Sequence, residues 1–299
     1  MRITPSNAQH PYQHIATNPL SSAIGAEIKC GDLRKVTDET FTEIHQVWLD
    51  NGIAIIRGQS MEAGDLVAFS QRFGVLDESP TALKAGRYPP GFPQILVVTN
   101  TVFNGASPEG GLNSAEAYWH TDMSYVESPP KASLLYSVEI PPTGGNTGFA
   151  NMYLALETLP KATRERIENL TIKHDASHNA AGILRKGMAP VTDITTSPGP
   201  SHPIVRTHPE TGRDALFLGR REYAYVNGLP IPESEALLNE LWAHATREEF
   251  SWHHVWMLGD LIIWDNRCVM HRRDPFDSNS RRVMFRTQVR GDKPSQNKH

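Results

Sequence analysis

Trp119-His120-Thr121-Asp122 and Trp264-Asp265-Asn266-Arg267-Cys268-Val269-Met270-His271 are the two stretches on which the reading of this chain turns. Taken as a strand, the first puts His120 and Asp122 on one face and Thr121 on the other, because strand side chains alternate with a period of two. The second offers another imidazole, His271, just after the strand-like Leu261 to Trp264 and a turn. Two imidazoles and one carboxylate form the donor set that grips a non-haem ferrous ion on one face and leaves the opposite positions open. The triplet alone carries little weight. With 13 histidines in 299 residues about one such triplet is expected by chance, and an ordinary surface His–Asp pair is the plain alternative.

The last strand-like segment, Arg282 to Arg290, adds a second signal. Arg282, Met284, Arg286 and Gln288 share one face, and Val283, Phe285, Thr287 and Val289 share the other. Two arginines on a wet face mean nothing. Facing a barrel interior they need anions, since unpaired buried guanidiniums are costly, and a dicarboxylate matches their fork geometry. His208-Pro209-Glu210 is a poorer donor pair, because Pro209 and Thr211-Gly212 make it a turn. Trp264 is either a pocket wall or core. Cys268 reads as a small buried hydrophobe, since a thiolate would favour zinc.

Composition bounds the classes. The chain is 39% hydrophobic and 21% charged, with 22 Gly and 22 Pro, which is the profile of a soluble globular protein rich in turns. A net charge of -4 gives no bulk attraction for nucleic acid or membrane, so any anion binding must be local. Cys30 and Cys268 make no disulfide framework, and neither a signal peptide nor a membrane span is evident. A cytoplasmic home is expected. Oligomeric state is left open, a homo-oligomer included.

Strands are expected at Ile24 to Ile28, Gly52 to Ile56, Tyr118 to Val126, Ala132 to Ile140, Ile204 to Thr207 and Ala215 to Leu218. Helical spacing marks Thr37 to Asn51, Met61 to Phe73, Tyr153 to Leu170 and Pro232 to Thr246. Asp77 to Pro93 and Asn104 to Glu116 read either as loops bordering a pocket or as solvent-exposed linkers, the commoner meaning of such segments. Short scattered strands with inserted helices suggest a β-sandwich or jelly roll with outer helices. Without repeat or clean linker, residues 1–299 read as one domain.

The blocks Ile24 to Ile28 with Asp32-Leu33, Phe69-Ser70-Gln71-Arg72-Phe73-Gly74, Trp119 to Asp122, Gly144-Gly145-Asn146-Thr147, His202 to Pro209, and Trp264 through His271 to Arg282 and Arg286 cover most of the chain. In order and spacing they resemble the 2-oxoglutarate-dependent oxygenases of the taurine dioxygenase and 2,4-dichlorophenoxyacetate dioxygenase family. The resemblance implies a mainly β double-stranded β-helix (jelly-roll) core with flanking α-helices, and Fe(II) held by His120, Asp122 and His271. It implies that Thr147 and Arg282 bind the distal carboxylate of 2-oxoglutarate. Arg286 would lie near the chelating end and an anionic group of the substrate. Molecular oxygen, a small anionic substrate and 2-oxoglutarate would give a hydroxylated product, succinate and CO2. Hydroxylation beside an ether oxygen or a sulfur- or nitrogen-bearing carbon would end in cleavage.

Two departures bear on the substrate. The family's taurine-binding histidine and tyrosine, expected after the Arg-Phe-Gly block, are absent from Val75-Leu76-Asp77-Glu78-Ser79-Pro80-Thr81, and Leu76, Ala82 and Leu83 offer apolar surface instead. Glu116-Ala117 stands where the family has an asparagine. Phe217-Leu218-Gly219-Arg220-Arg221-Glu222-Tyr223 looks closer to the aryloxyalkanoate branch, with the basic pair expected on a solvated face. A zinc hydrolase would fit the donors but leaves Arg282 and Arg286 idle. A non-catalytic jelly-roll binding protein is the third possibility.

Overall fold

Two β-sheets of unequal size face each other and frame the site. The computed structural model describes residues 12–78, 83, 86–105 and 117–297. The larger sheet runs in the order Ala16–Pro19 (β1), Ala26–Lys29 (β2), Ile53–Ile56 (β3), Leu261–Asp265 (β14), Ala132–Glu139 (β6), Val283–Val289 (β16) and Leu96–Thr99 (β4). The smaller runs Ser251–His254 (β13), Thr147–Asn151 (β7), Val269–Arg273 (β15) and Ala117–His120 (β5). Val205–Thr207 (β10) pairs with Asp214–Leu216 (β11), and Tyr225–Val226 (β12), Thr171–Lys173 (β8) and Ser201–Pro203 (β9) form a small third layer. Among the described residues, only β2 and β3 pair in parallel. This is the double-stranded β-helix, with helices against it.

The alternation along β14 shows how the core divides. Ile262 and Trp264 point between the two sheets, whereas Leu261 and Ile263 point outward. The outward face is covered by Asp38–Asn51 (α1) and Ala63–Gln71 (α2), through Ile44, Val47, Trp48, Leu66 and Phe69. Thr37 caps α1 by accepting a hydrogen bond from the Thr40 amide, and Gly52 ends it at φ 70°, a left-handed conformation that suits glycine. Inside, Trp264 meets Phe149 of the smaller sheet at 5.8 Å between ring centres.

Several expectations are corrected. The helix expected over Tyr153 to Leu170 is two, Met152–Glu157 (α3) and Lys161–Ile167 (α4), because Pro160 cannot donate into a continuing helix and starts the second one instead. Ile231–Ala245 (α5) matches the helix expected nearby. The strand expected over Tyr118 to Val126 stops at His120. His271 follows the strand β14 and a turn over 266–268, as expected, and lies within a further strand, β15, that was not expected; Arg282 just precedes β16, where a bulge separates Val283 from Met284. Leu76 is buried against Val289, not pocket surface. Residues 79–82, 84–85 and 106–116, including Ala82, Glu116 and much of both expected loops, lie outside the described residues.

Candidate active site

His120 and His271 are register partners across β5 and β15, and their ring centres stand 4.2 Å apart. Asp122 completes the cluster: its Oδ1 lies 3.7 Å from Nε2 of His120 and 3.9 Å from Nε2 of His271. All three are buried. Nδ1–H of His120 donates to the Tyr118 carbonyl at 2.7 Å, which leaves the Nε2 lone pair aimed at the cluster. Burial, then the neighbouring His120, push the His271 pKa down to about 3, so this imidazole is neutral at ordinary pH. Burial opposes ionisation of Asp122, but Arg286 first and the two imidazoles next hold its carboxyl well below the usual range. Two neutral nitrogens and one carboxylate are what a divalent first-row ion requires.

Because β5 ends at His120, pairing within the sheet does not aim Asp122. Asn266 does. The Asp122 amide donates to Asn266 Oδ1 at 2.8 Å, and Asn266 Nδ2 donates to the carbonyls of Asp122 and Pro130, both at 2.9 Å. Ser133 Oγ and Gln288 Nε2 donate to Asp122 Oδ2 at 2.9 and 3.1 Å, and Arg286 donates to Oδ1 at 3.3 Å. The Thr121 amide, between the two ligands, donates to the Gly219 carbonyl at 3.0 Å. Gly219 has φ 71°, and a Cβ there would sit 2.0 Å from the His174 ring. Ser133 and Asn266 were not among the residues singled out from sequence. Gln288 was legible only as the next position on the Arg286 face.

Trp264 is 1% exposed and its ring lies 4.8 Å from that of His271, so it packs behind the ligand. Cys268 is buried in the inner core, as expected. His208, Asp265 and Cys268 form a second group of donors within 4.8 Å, but its lone pairs are committed. Arg267 donates to both Asp265 oxygens at 2.8 and 2.7 Å, and Nδ1 of His208 accepts from the Glu210 and Thr211 amides. Arg220, expected on a solvated face, is instead half-buried and donates to the Asp175 carbonyl at 2.8 Å.

Arg282 is 2% exposed, and its guanidinium makes no hydrogen bond to any described residue. It lies 5.9 Å from the Trp256 ring centre, and Trp256 Nε1 donates to Thr147 Oγ1 at 3.0 Å. Gly145, at φ 65°, lets the loop before β7 lie directly on the Arg282 side chain, and Gly144, at φ 77°, lets it lie against Pro275 and Phe276.

Residues 16–288 match the family described as taurine catabolism dioxygenase, TauD, TfdA. The chain belongs to this family. It is 32% identical over 280 residues to the alpha-ketoglutarate-dependent 2,4-dichlorophenoxyacetate dioxygenase of Cupriavidus pinatubonensis, covering 91% of this chain and 96% of that one. A taurine dioxygenase structure from Burkholderia xenovorans superposes with a TM-score of 0.77 at 31% identity, over 94% of this chain and 91% of the other. AAD-2, solved with Mn(II) and N-oxalylglycine, gives 0.76 at 29% identity, over 94% and 99%. This TauD/TfdA-family protein is an Fe(II)- and 2-oxoglutarate-dependent dioxygenase. The zinc hydrolase and the non-catalytic binding protein are set aside. Among the described residues, no helix is long and apolar enough to cross a membrane.

Proposed function

We propose that this dioxygenase hydroxylates a small anionic organic molecule with an apolar or aromatic body, of the aryloxyalkanoate, sulfonate or sulfate ester type. His120, Asp122 and His271 would hold Fe(II). Thr147 and Arg282 would hold the distal carboxylate of 2-oxoglutarate. The observation that carries the co-substrate assignment is the buried Arg282 guanidinium without a hydrogen bond among the described residues, a state that a bound carboxylate relieves.

Iron and 2-oxoglutarate, when bound, supply the oxidising chemistry that inserts one oxygen atom into a C–H bond and yields succinate and CO2. The chain's own groups do the positioning. Asn266, Ser133 and Gln288 fix the Asp122 carboxylate, and Tyr118 fixes the His120 ring. Arg286, part-exposed beside Asp122, brings a cation to the metal end of the pocket, where a chelating carboxylate and an anionic substrate group would both approach. Trp264 and Phe149 pack the back of His271 and exclude water from that side.

The family includes proteins named for aryloxyalkanoates and for taurine. This chain lacks the family's taurine-binding histidine and tyrosine after Gly74, which favours the former. Coupled turnover across a panel of aryloxyalkanoates, alkyl sulfates, alkanesulfonates and taurine tests the reading. Turnover fastest with anions of apolar body is expected; activity with taurine alone, or only with neutral and cationic compounds, would overturn it.

A further inference from the structure

An anionic substrate, as proposed above, accounts for Arg286 but leaves a second group of cations beside the metal-binding strand without a role. Tyr125 follows the metal ligand Asp122 by three residues, so at most about 11 Å of chain separates them. Two guanidiniums lie over its ring, Arg185 at 4.3 Å and Arg220 at 5.0 Å from the ring centre. Both donate to one carbonyl, that of His178, Arg185 through Nε at 3.1 Å and Arg220 through a terminal nitrogen. The loops that carry these arginines are tied to the strand on either side of His120. Tyr118 donates its amide to the Ala180 carbonyl at 3.2 Å, and Thr121 donates to that of Gly219, next to Arg220.

The cluster has two cations and no acid to pair them. The Asp175 carboxylate is committed elsewhere, accepting from the amides of Ser177 and His178, the Ser177 hydroxyl and the His178 ring. Among the described residues neither Arg185 nor Arg220 forms an ion pair, whereas the adjacent Arg221 has Glu235 at 2.7 Å. Arg185 spends one of its five N–H groups on the protein, and its terminal nitrogens donate to no described residue. Burial first and Arg185 second press the Arg220 guanidinium down to about 10, so each cation feels the other. The backbone around them is held in unusual conformations. Met123 at φ 47° and Tyr223 at φ 58° are two of the three non-glycines with positive φ among the described residues, and Tyr223 stacks on the His178 ring at 3.9 Å. Such conformations persist only where packing over-determines them, and they gather at ligand clamps. Like charges held side by side raise the energy of the fold unless an anion joins them, and a carboxylate, sulfonate or phosphate has oxygens for both forks. We propose that Arg185 and Arg220 form a second anion site beside the metal pocket, and that the prime substrate carries a second acidic group at the end away from its oxidised carbon.

The test uses full-length protein loaded with Fe(II) and 2-oxoglutarate under anaerobic conditions. It is titrated with phenoxyacetate and with 3- and 4-carboxyphenoxyacetate, by calorimetry or tryptophan fluorescence. The wild type is expected to bind the better of the two diacids about tenfold or more tightly than the monoacid. Arg185→Gln and Arg220→Gln should each remove most of that preference, and Arg185→Lys should keep part of it. Arg220 also braces two carbonyls, so Arg185→Gln, which loses a single bond, carries the comparison if Arg220→Gln folds poorly. No preference in the wild type, or one that persists in Arg185→Gln, would overturn the inference. Admitting oxygen separates it from the reading it rests on. Discrimination in binding without turnover of any of these acids would fault that reading and leave the anion site; turnover of the monoacid without discrimination would fault the site alone.

Discussion

Asn266 clamps the backbone of Asp122 from 144 residues away in sequence, accepting from its amide at 2.8 Å and donating to its carbonyl at 2.9 Å. The side-chain amide thus acts as a one-residue strand, continuing the pairing that β5 abandons at His120. It lets the ligand loop turn, with Met123 at φ 47°, while the carboxylate keeps its aim.

Removing this clamp should therefore cost both stability and metal affinity. Asn266→Ala leaves the Asp122 amide and the Asp122 and Pro130 carbonyls buried without partners, each worth about 1–3 kcal/mol. Urea denaturation should show a loss of several such increments. In whatever fraction folds, Fe(II) affinity measured by anaerobic dialysis should fall. Unchanged metal affinity would mean that Ser133 and Gln288 suffice to hold the carboxylate.

The ligand set itself makes a geometric prediction. In crystals grown with Mn(II) or anaerobic Fe(II), Nε2 of His120 and of His271 should both lie roughly 2.0–2.3 Å from a single ion also bound by Asp122. His120→Ala should abolish turnover and metal binding, with the circular dichroism spectrum retained. An ion seated on His208 and Asp265 instead would refute the assignment.

Arg282→Met should raise the 2-oxoglutarate concentration needed for half-maximal rate by about a hundredfold. Loss of a charge-assisted carboxylate contact in a dry site is typically worth a few kcal/mol. The dependence on the prime substrate should move much less. Equal movement of both would show that Arg282 is not a dedicated co-substrate anchor.

Asp265 predicts an acid limb of stability. Burial raises its carboxyl pKa, but Arg267 and then His208 outweigh burial and depress it well below the unfolded value of about 3.9. A depressed folded pKa contributes stability that is present in full above the unfolded pKa and is lost as pH falls through the folded one. Stability by urea denaturation should thus decline below about pH 4. Asp265→Asn should be less stable at neutral pH and show a shallower acid limb; an unchanged limb would assign the acid sensitivity to other carboxylates.

Sequence periodicity by itself determined much of this molecule. The helical spacing of Ile44, Val47 and Trp48, the apolar run Ile53 to Ile56, and the alternation through Met284, Arg286 and Gln288 are local patterns, and local patterns survive without knowledge of distant partners. The order of the His-x-Asp, Gly-Gly-Asn-Thr and Trp-Asp-Asn-Arg blocks likewise carried the family and the three metal donors. Tertiary structure alone decided what aims them. β15, the strand that carries His271, was not legible, since Val269 to Arg273 mixes apolar and charged side chains and gains its stability from pairing with β7 and β5. Asn266 and Ser133 reach Asp122 only after β14 and β6 have paired, and Arg273 meets Thr147 only across a ladder between segments more than a hundred residues apart. Hydrogen-bond partners and shared charge are properties of distance in space, which a chain acquires only by folding.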